Sequence, residues 1–226
     1  MSDRAQDGIV LVVTLLVMLM MSALGIALVV LTSSDTMIAA NFRNSREALH
    51  AAEAAAERAM SDLGSVADWN QVLNGSARSA FVDGSSTGTR TLPDGSRLDL
   101  SEAVNQANCH KATTCSDAEM DAATADRPWG ANNPRWQLYA HGPLTSLLPS
   151  AAIDSTYYAV VLVGDDSSEN DNDPRNDGAG PANPGSGIVA LRAQAFGPRG
   201  THKTVDLTIA RATQGGIRVL SWREIR

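Results

Sequence analysis

Residues 9–31 read IVLVVTLLVMLMMSALGIALVVL, and residues 33–64 continue as SSDTMIAANFRNSREALHAAEAAAERAMSDLG. The first stretch carries no charge, and Thr14 and Ser22 are its only polar side chains. As a helix its 23 residues reach about 34 Å, enough to cross a hydrocarbon core of about 30 Å. A secretory signal has an apolar region of only about 7 to 15 residues before a small-residue cleavage site, so this run is too long for one. Orientation stays open, because Arg4 precedes the run while Arg43 and Arg46 follow it.

The second stretch has no proline and is rich in alanine. Ile38, Phe42, Ser45, Leu49, Ala52, Ala56, Met60 and Leu63 recur at steps of three and four, which draws one stripe along a helix. Gly64 stands where a left-handed helix stop is expected. The two stretches together predict one helix over about 9–63, wholly apolar in its first half (9–32) and one-sided in its second (33–64). Gly25 is its weak joint, which costs about 1 kcal/mol relative to alanine. It reads equally as a point of local unwinding or as a close-packing position between membrane helices. Ala39, Ala40, Ala48, Ala51, Ala52, Ala54, Ala55 and Ala56 are small enough to let neighbouring helices approach closely.

The chain has 226 residues, 43% hydrophobic and 19% charged, which suits one modest domain plus an anchor. A net charge of −7 argues against a nucleic-acid partner, whose polyanionic backbone selects basic surfaces. Beyond Gly64 the sequence turns polar and rich in Gly and Ser to about residue 97. TRTLPDGSRLDL (89–100) reads as a hairpin wrapping the helix. SDAEMDAA (116–123) reads as a short surface helix. Strands are predicted at 136–141, 157–164, 187–196, 201–212 and 217–222. In the fourth of these, Val205, Leu207 and Ile209 alternate with Thr204, Asp206 and Thr208, the period of a sheet covered on one face by the long helix. GPRG (197–200) is a turn that makes its two flanking strands antiparallel neighbours. The predicted fold class is α+β: a long helix whose second half packs on an antiparallel sheet formed within 65–226.

Cys109 and Cys115 are the only cysteines, six apart in a polar segment, and the anchor places them outside the cytoplasm, where disulfides persist. They are expected to be bonded, since a zinc site using His110 lacks a second spaced Cys/His pair. DDSSENDNDPRNDG (165–178) crowds Asp165, Asp166, Glu169, Asn170, Asp171, Asp173, Asn176 and Asp177 into one loop. Asp and Asn oxygens at alternating positions before a glycine suit Ca2+, although the spacing is not that of an EF-hand. Composition alone favours a solvated acidic loop, and Ca2+ held by Asp165, Asp166, Glu169, Asp171, Asp173 and Asp177 is the alternative. The sequence contains no G-x-S-x-G, Walker loop or H-E-x-x-H, and its four histidines are isolated, so no catalytic residue is assigned, no enzyme is predicted and no cofactor is required.

Gly8 followed by Ile9 and the apolar helix resembles the class III signal of type IV prepilins. ALHAAEAAAERA (48–59), RPWGANNPRWQLYAHGPL (127–144) and VLSWREIR (219–226) are similar to the PilX group of minor pilins. The resemblance implies that a prepilin peptidase removes residues 1–8 and methylates Ile9. It further implies a helix that assembles through Val13, Gly25, Ile38, Phe42, Leu49, Ala52 and Ala56. The protein would wait in the inner membrane with a periplasmic head and reach the pilus surface after assembly. Its partners would be other minor pilins, the major pilin, the assembly platform and a tip adhesin, with no direct nucleic-acid binding. Two positions depart from the pattern. Val13 stands where major pilins carry a glutamate, and the leader MSDRAQDG sets Asp3 and Asp7 against a single Arg4. Loss of that glutamate suits a scarce subunit near the tip, and it is shared by the tip subunit of the type II secretion pseudopilus. A bitopic membrane protein with an outward binding domain is the remaining class, but it would not need an apolar stripe that continues past the bilayer.

Overall fold

The computed structural model describes residues 3–123, 130–148, 153–169, 171–178, 185–213 and 215–225. Arg127, Pro128, Trp129 and Asn170, quoted above, lie outside them. The chain divides into two units, Met1–Arg43 and Asn44–Arg226. Helix α1 is Asp3–Ser65, so it starts before Ile9, and Gly25 does not interrupt it. Gly64 is not its stop: it keeps a right-handed backbone. Instead the Trp69 indole N–H donates to the Leu63 carbonyl at 3.2 Å, and the Ser65 hydroxyl donates to the Asp62 carbonyl at 2.7 Å. A buried tryptophan thus satisfies one of the carbonyls that the last turn leaves without an intrahelical partner.

In the second unit, β3 (Gln137–Pro143), β4 (Tyr158–Asp165), β5 (Ile188–Phe196), β6 (His202–Arg211) and β7 (Ile217–Ile225) form one antiparallel meander in chain order. The predicted strands match these within a few residues, and the 197–200 turn pairs Phe196 with His202 as expected. Val205, Leu207 and Ile209 point into the core.

One face of the sheet meets the end of α1. The helix presents Ala48, Ala51, Ala52, Ala55, Ala56, Ala59 and Leu63, all buried, to Tyr139, Val161, Val163, Leu191 and the β6 residues. Methyl side chains on every turn make a flat helix surface, which lets the larger sheet residues fill the space between the layers. This stripe is rotated from the predicted one, so Met60 is only half-buried. Arg58 ties the seam: it pairs with Asp62 at 3.1 Å and donates to the Leu147 carbonyl at 3.2 Å. The Tyr157 hydroxyl donates to the Asn44 carbonyl at 3.0 Å.

The other face is covered too, which corrects the one-sided sheet expected from β6. The hairpin of β1 (Thr89–Thr91) and β2 (Arg97–Asp99) does not wrap the helix. With α3 (Leu100–Cys109), which follows the single-turn α2 (Asn70–Leu73) in chain order, it brings Leu92, Leu98, Leu100 and Val104 onto Trp136, Leu138, Tyr158, Val160 and Leu162. Every residue of β4 is accordingly buried. Asp99 caps α3 by accepting from the N–H groups of Ser101 (2.8 Å) and Glu102 (3.0 Å), and His110 ends it at φ 58°. Asn108 fastens α3 to the sheet, donating to the Trp136 carbonyl at 3.0 Å and accepting from its N–H at 2.8 Å. Cys109 and Cys115 are disulfide-bonded, joining the end of α3 to the turn before the expected surface helix at Asp117–Asp121.

Because the helix–sheet seam has room only for methyl groups, Ala55→Leu should cost about 1–3 kcal/mol by overpacking. Exposed Ala39→Leu should be neutral. Denaturant unfolding of the two full-length variants in the same detergent checks the contrast.

Candidate functional site

Two surfaces carry chemistry beyond packing. The first is the apolar half of α1. From Ile9 to Leu31 its large hydrophobic side chains are exposed in the first unit, and the helix is long and apolar enough to cross a membrane. Its hydroxyls make no demand on a partner. Thr14 donates to the Leu11 carbonyl, Ser22 to Met18, Thr32 to Leu28 and Thr36 to Thr32, at 2.8–2.9 Å. Each polar group is satisfied by its own helix, which is the condition for burying such a surface in lipid or among other apolar helices.

The predicted assembly residues divide at this point. Val13, Gly25, Ile38 and Phe42 lie on exposed helix, with Ile38 and Phe42 66% and 65% accessible. Leu49, Ala52 and Ala56 are buried in the chain's own core, as are Ala48, Ala51 and Ala55. Those alanines let the sheet, not a neighbouring helix, approach closely. Gly8 and Ile9 are exposed and helical.

The second surface is the acidic segment after β4. Successive inward residues of β4 are Ala159, Val161 and Val163, and Asp165 takes the next inward step. It is 2% exposed, and its Oδ1 has no hydrogen-bond partner. Glu169 is equally buried, and both its oxygens accept from the Gly178 N–H, at 3.1 and 2.9 Å. Asp177 accepts from the Gly187 N–H at 2.6 Å, and its own N–H donates to the Asn70 side chain at 2.6 Å. One oxygen from each of the three carboxylates lies within 4.8 Å of the others. Burial pushes the Asp165 carboxyl up to about 8, with Glu169 adding to the effect. Burial also raises Asp177, opposed by the Gly187 N–H and Arg211.

The other three predicted ligands do not join this group. Asp166 bonds the Ser168 hydroxyl, Asp171 accepts from the Asp173 N–H at 2.9 Å, and Asp173 accepts from the N–H of Arg175 at 3.4 Å. They shape exposed turns. The signal that singles out Asp165 is the strand's period of two, carried one residue past the last valine.

The histidines are dispersed. His50 pairs with Glu53 on exposed helix, His110 caps α3, and His202 stacks on Phe196 with ring centroids 4.4 Å apart. His141 is buried in β3, with Nδ1 3.2 Å from the Tyr158 hydroxyl and Nε2 without a partner.

Residues 7–57 match the family model described as PilX N-terminal. The match takes in the apolar half of α1 and most of the alanine stripe, and leaves the sheet outside it. No curated protein and no solved structure matches the chain.

Burial holds His141 and His202 below the ordinary imidazole value, and for His141 nearby Arg90 and Arg78 reinforce the effect against Asp83. The unfolded chain therefore takes up protons at these rings first, and stability present above about pH 6.5 is lost as pH falls through that value. The raised Asp165 and Asp177 act in the opposite sense, so parent and variant must be compared. Between about pH 7.5 and 5.5, His141→Gln should lose less stability than the parent, read from denaturant midpoints.

Proposed function

We propose that this chain, whose residues 7–57 match the PilX N-terminal family model, is a minor pilin: a non-catalytic subunit that joins or primes a type IV pilus near its tip. The observation that carries the reading is the division of labour along α1. Its first half exposes an uninterrupted apolar surface with every hydroxyl self-satisfied, and its second half is committed to the subunit's own sheet. A purely bitopic anchor needs exposed apolar residues only across the bilayer. Ile38 and Phe42 extend the exposed apolar surface beyond it, where packing against neighbouring pilin helices would cover them.

In this reading residues 1–8 are the leader, cut after Gly8 so that Ile9 becomes the methylated amino terminus. The head, 65–226, faces the periplasm while α1 holds the subunit in the inner membrane, and it reaches the cell surface in the filament. Val13 supports a place at or near the tip. A glutamate at that position of a pilin neutralises the amino terminus of a neighbouring subunit, and a buried charge without a partner is costly, so a subunit with valine neither offers nor needs that pairing. The partners are other minor pilins, the major pilin and a tip adhesin, together with the prepilin peptidase and the assembly platform. A minor subunit of the type II secretion pseudopilus would share the helix and the missing glutamate.

Intact mass and N-terminal sequencing of the chain, recovered from membranes of cells with and without prepilin peptidase, test the processing. The expected result is a start at methylated Ile9 that depends on the peptidase and is lost in Gly8→Val. An unprocessed Met1 start in both strains would overturn the pilin reading.

A further inference from the structure

The β4–β5 connection holds three carboxylates where packing gives no reason for any. Asp165 occupies a core-facing position of a strand whose other inward residues are Ala159, Val161 and Val163, and Glu169 is as deeply buried. A side chain at Gly185 would collide with Glu169, so the returning backbone closes directly over it. Desolvated carboxylates this close repel one another, and Asp165 Oδ1 has no donor to offset its loss of water. Arg211 acts on Asp177 and also stacks over the Trp69 ring at 4.2 Å.

We propose that Asp165, Glu169 and Asp177 form a binding site for a hard divalent cation of the calcium class, which fastens the β4–β5 connection to the end of the sheet. The donor set is all oxygen, which excludes the soft and imidazole-preferring metals. The three oxygens lie within 4.8 Å of one another, close enough to share one ion. Calcium tolerates the irregular geometry of a loop, whereas magnesium demands a near-ideal octahedron. The three carboxylates supply part of its shell and water the rest. The Gly178 and Gly187 N–H groups already orient Glu169 and Asp177, so the site is largely formed before the ion arrives.

The competing account is a proton shared between Asp165 and Glu169, which would satisfy the same orphan oxygen without a metal. The full-length chain in detergent micelles, stripped with chelator and titrated at neutral pH with calcium chloride and separately with magnesium chloride, distinguishes the two. The expected result is a single calcium-binding heat, a rise in Tm with calcium, and a response to magnesium at least tenfold weaker. Asp165→Asn, which keeps the shape and removes the charge, should weaken calcium binding at least tenfold while leaving the chelated protein no less stable than the parent. That second reading separates loss of a ligand from loss of the fold. Asp171→Asn with Asp173→Asn should bind as the parent does. Absence of heat and of any Tm shift at millimolar calcium would overturn the site in favour of the shared proton. Loss of binding in the Asp171/Asp173 variant with retention in Asp165→Asn would overturn the ligand assignment.

Discussion

The seam between the alanines of α1 and the sheet is the constraint on which the rest of the second unit depends. Ala48, Ala52, Ala55, Ala59 and Leu63 are fully buried against β3–β6, and their small size is what brings the helix close enough for Tyr139, Val161 and Leu191 to fill the interface. Close-packed interiors respond to single methylenes, so this contact fixes which face of the helix is spent within the subunit. Leu49, Ala52 and Ala56 cannot serve two interfaces. The apolar surface left exposed runs from Ile9 to Phe42.

A second layer makes the sheet a true core rather than a one-sided cover. The β1–β2 hairpin and α3 seal its far side, and β4 is buried throughout as a consequence. Asp165 lies on the opposite, helix-facing side: the strand's alternation continues one step past Val163, and the carboxylate follows the backbone inward.

Much of this was legible in the chain. The apolar run and the four-three stripe announced α1, the period-two pattern in 201–212 announced β6, and two cysteines six apart in a polar segment announced their bond. What escaped had weaker local signals. LSEAVNQANC has few apolar residues, so Leu100, Val104 and Ala107, although at helical steps of four and three, make only a faint stripe, and its best marker is Asp99 as a cap with Glu102 in the first turn. The helix stop at Gly64 was misplaced because the actual terminator, the Trp69 indole, acts from outside the helix. Of the six acidic residues in one loop, the strand's period of two marks Asp165, which pairs with Val189, while no local pattern marks Glu169, which is buried as deeply.

The central claim is that α1 is divided between an outward-packing half and a half spent on its own sheet. Single cysteines introduced along the helix, with crosslinking to neighbouring subunits measured in purified filaments, test this most directly. The account predicts crosslinks from Val13→Cys, Leu24→Cys and Phe42→Cys, and none from Ala52→Cys or Ala55→Cys. Equal crosslinking at Ala52 and Ala55, or silence at all three outer positions in filaments that contain the chain, would contradict it.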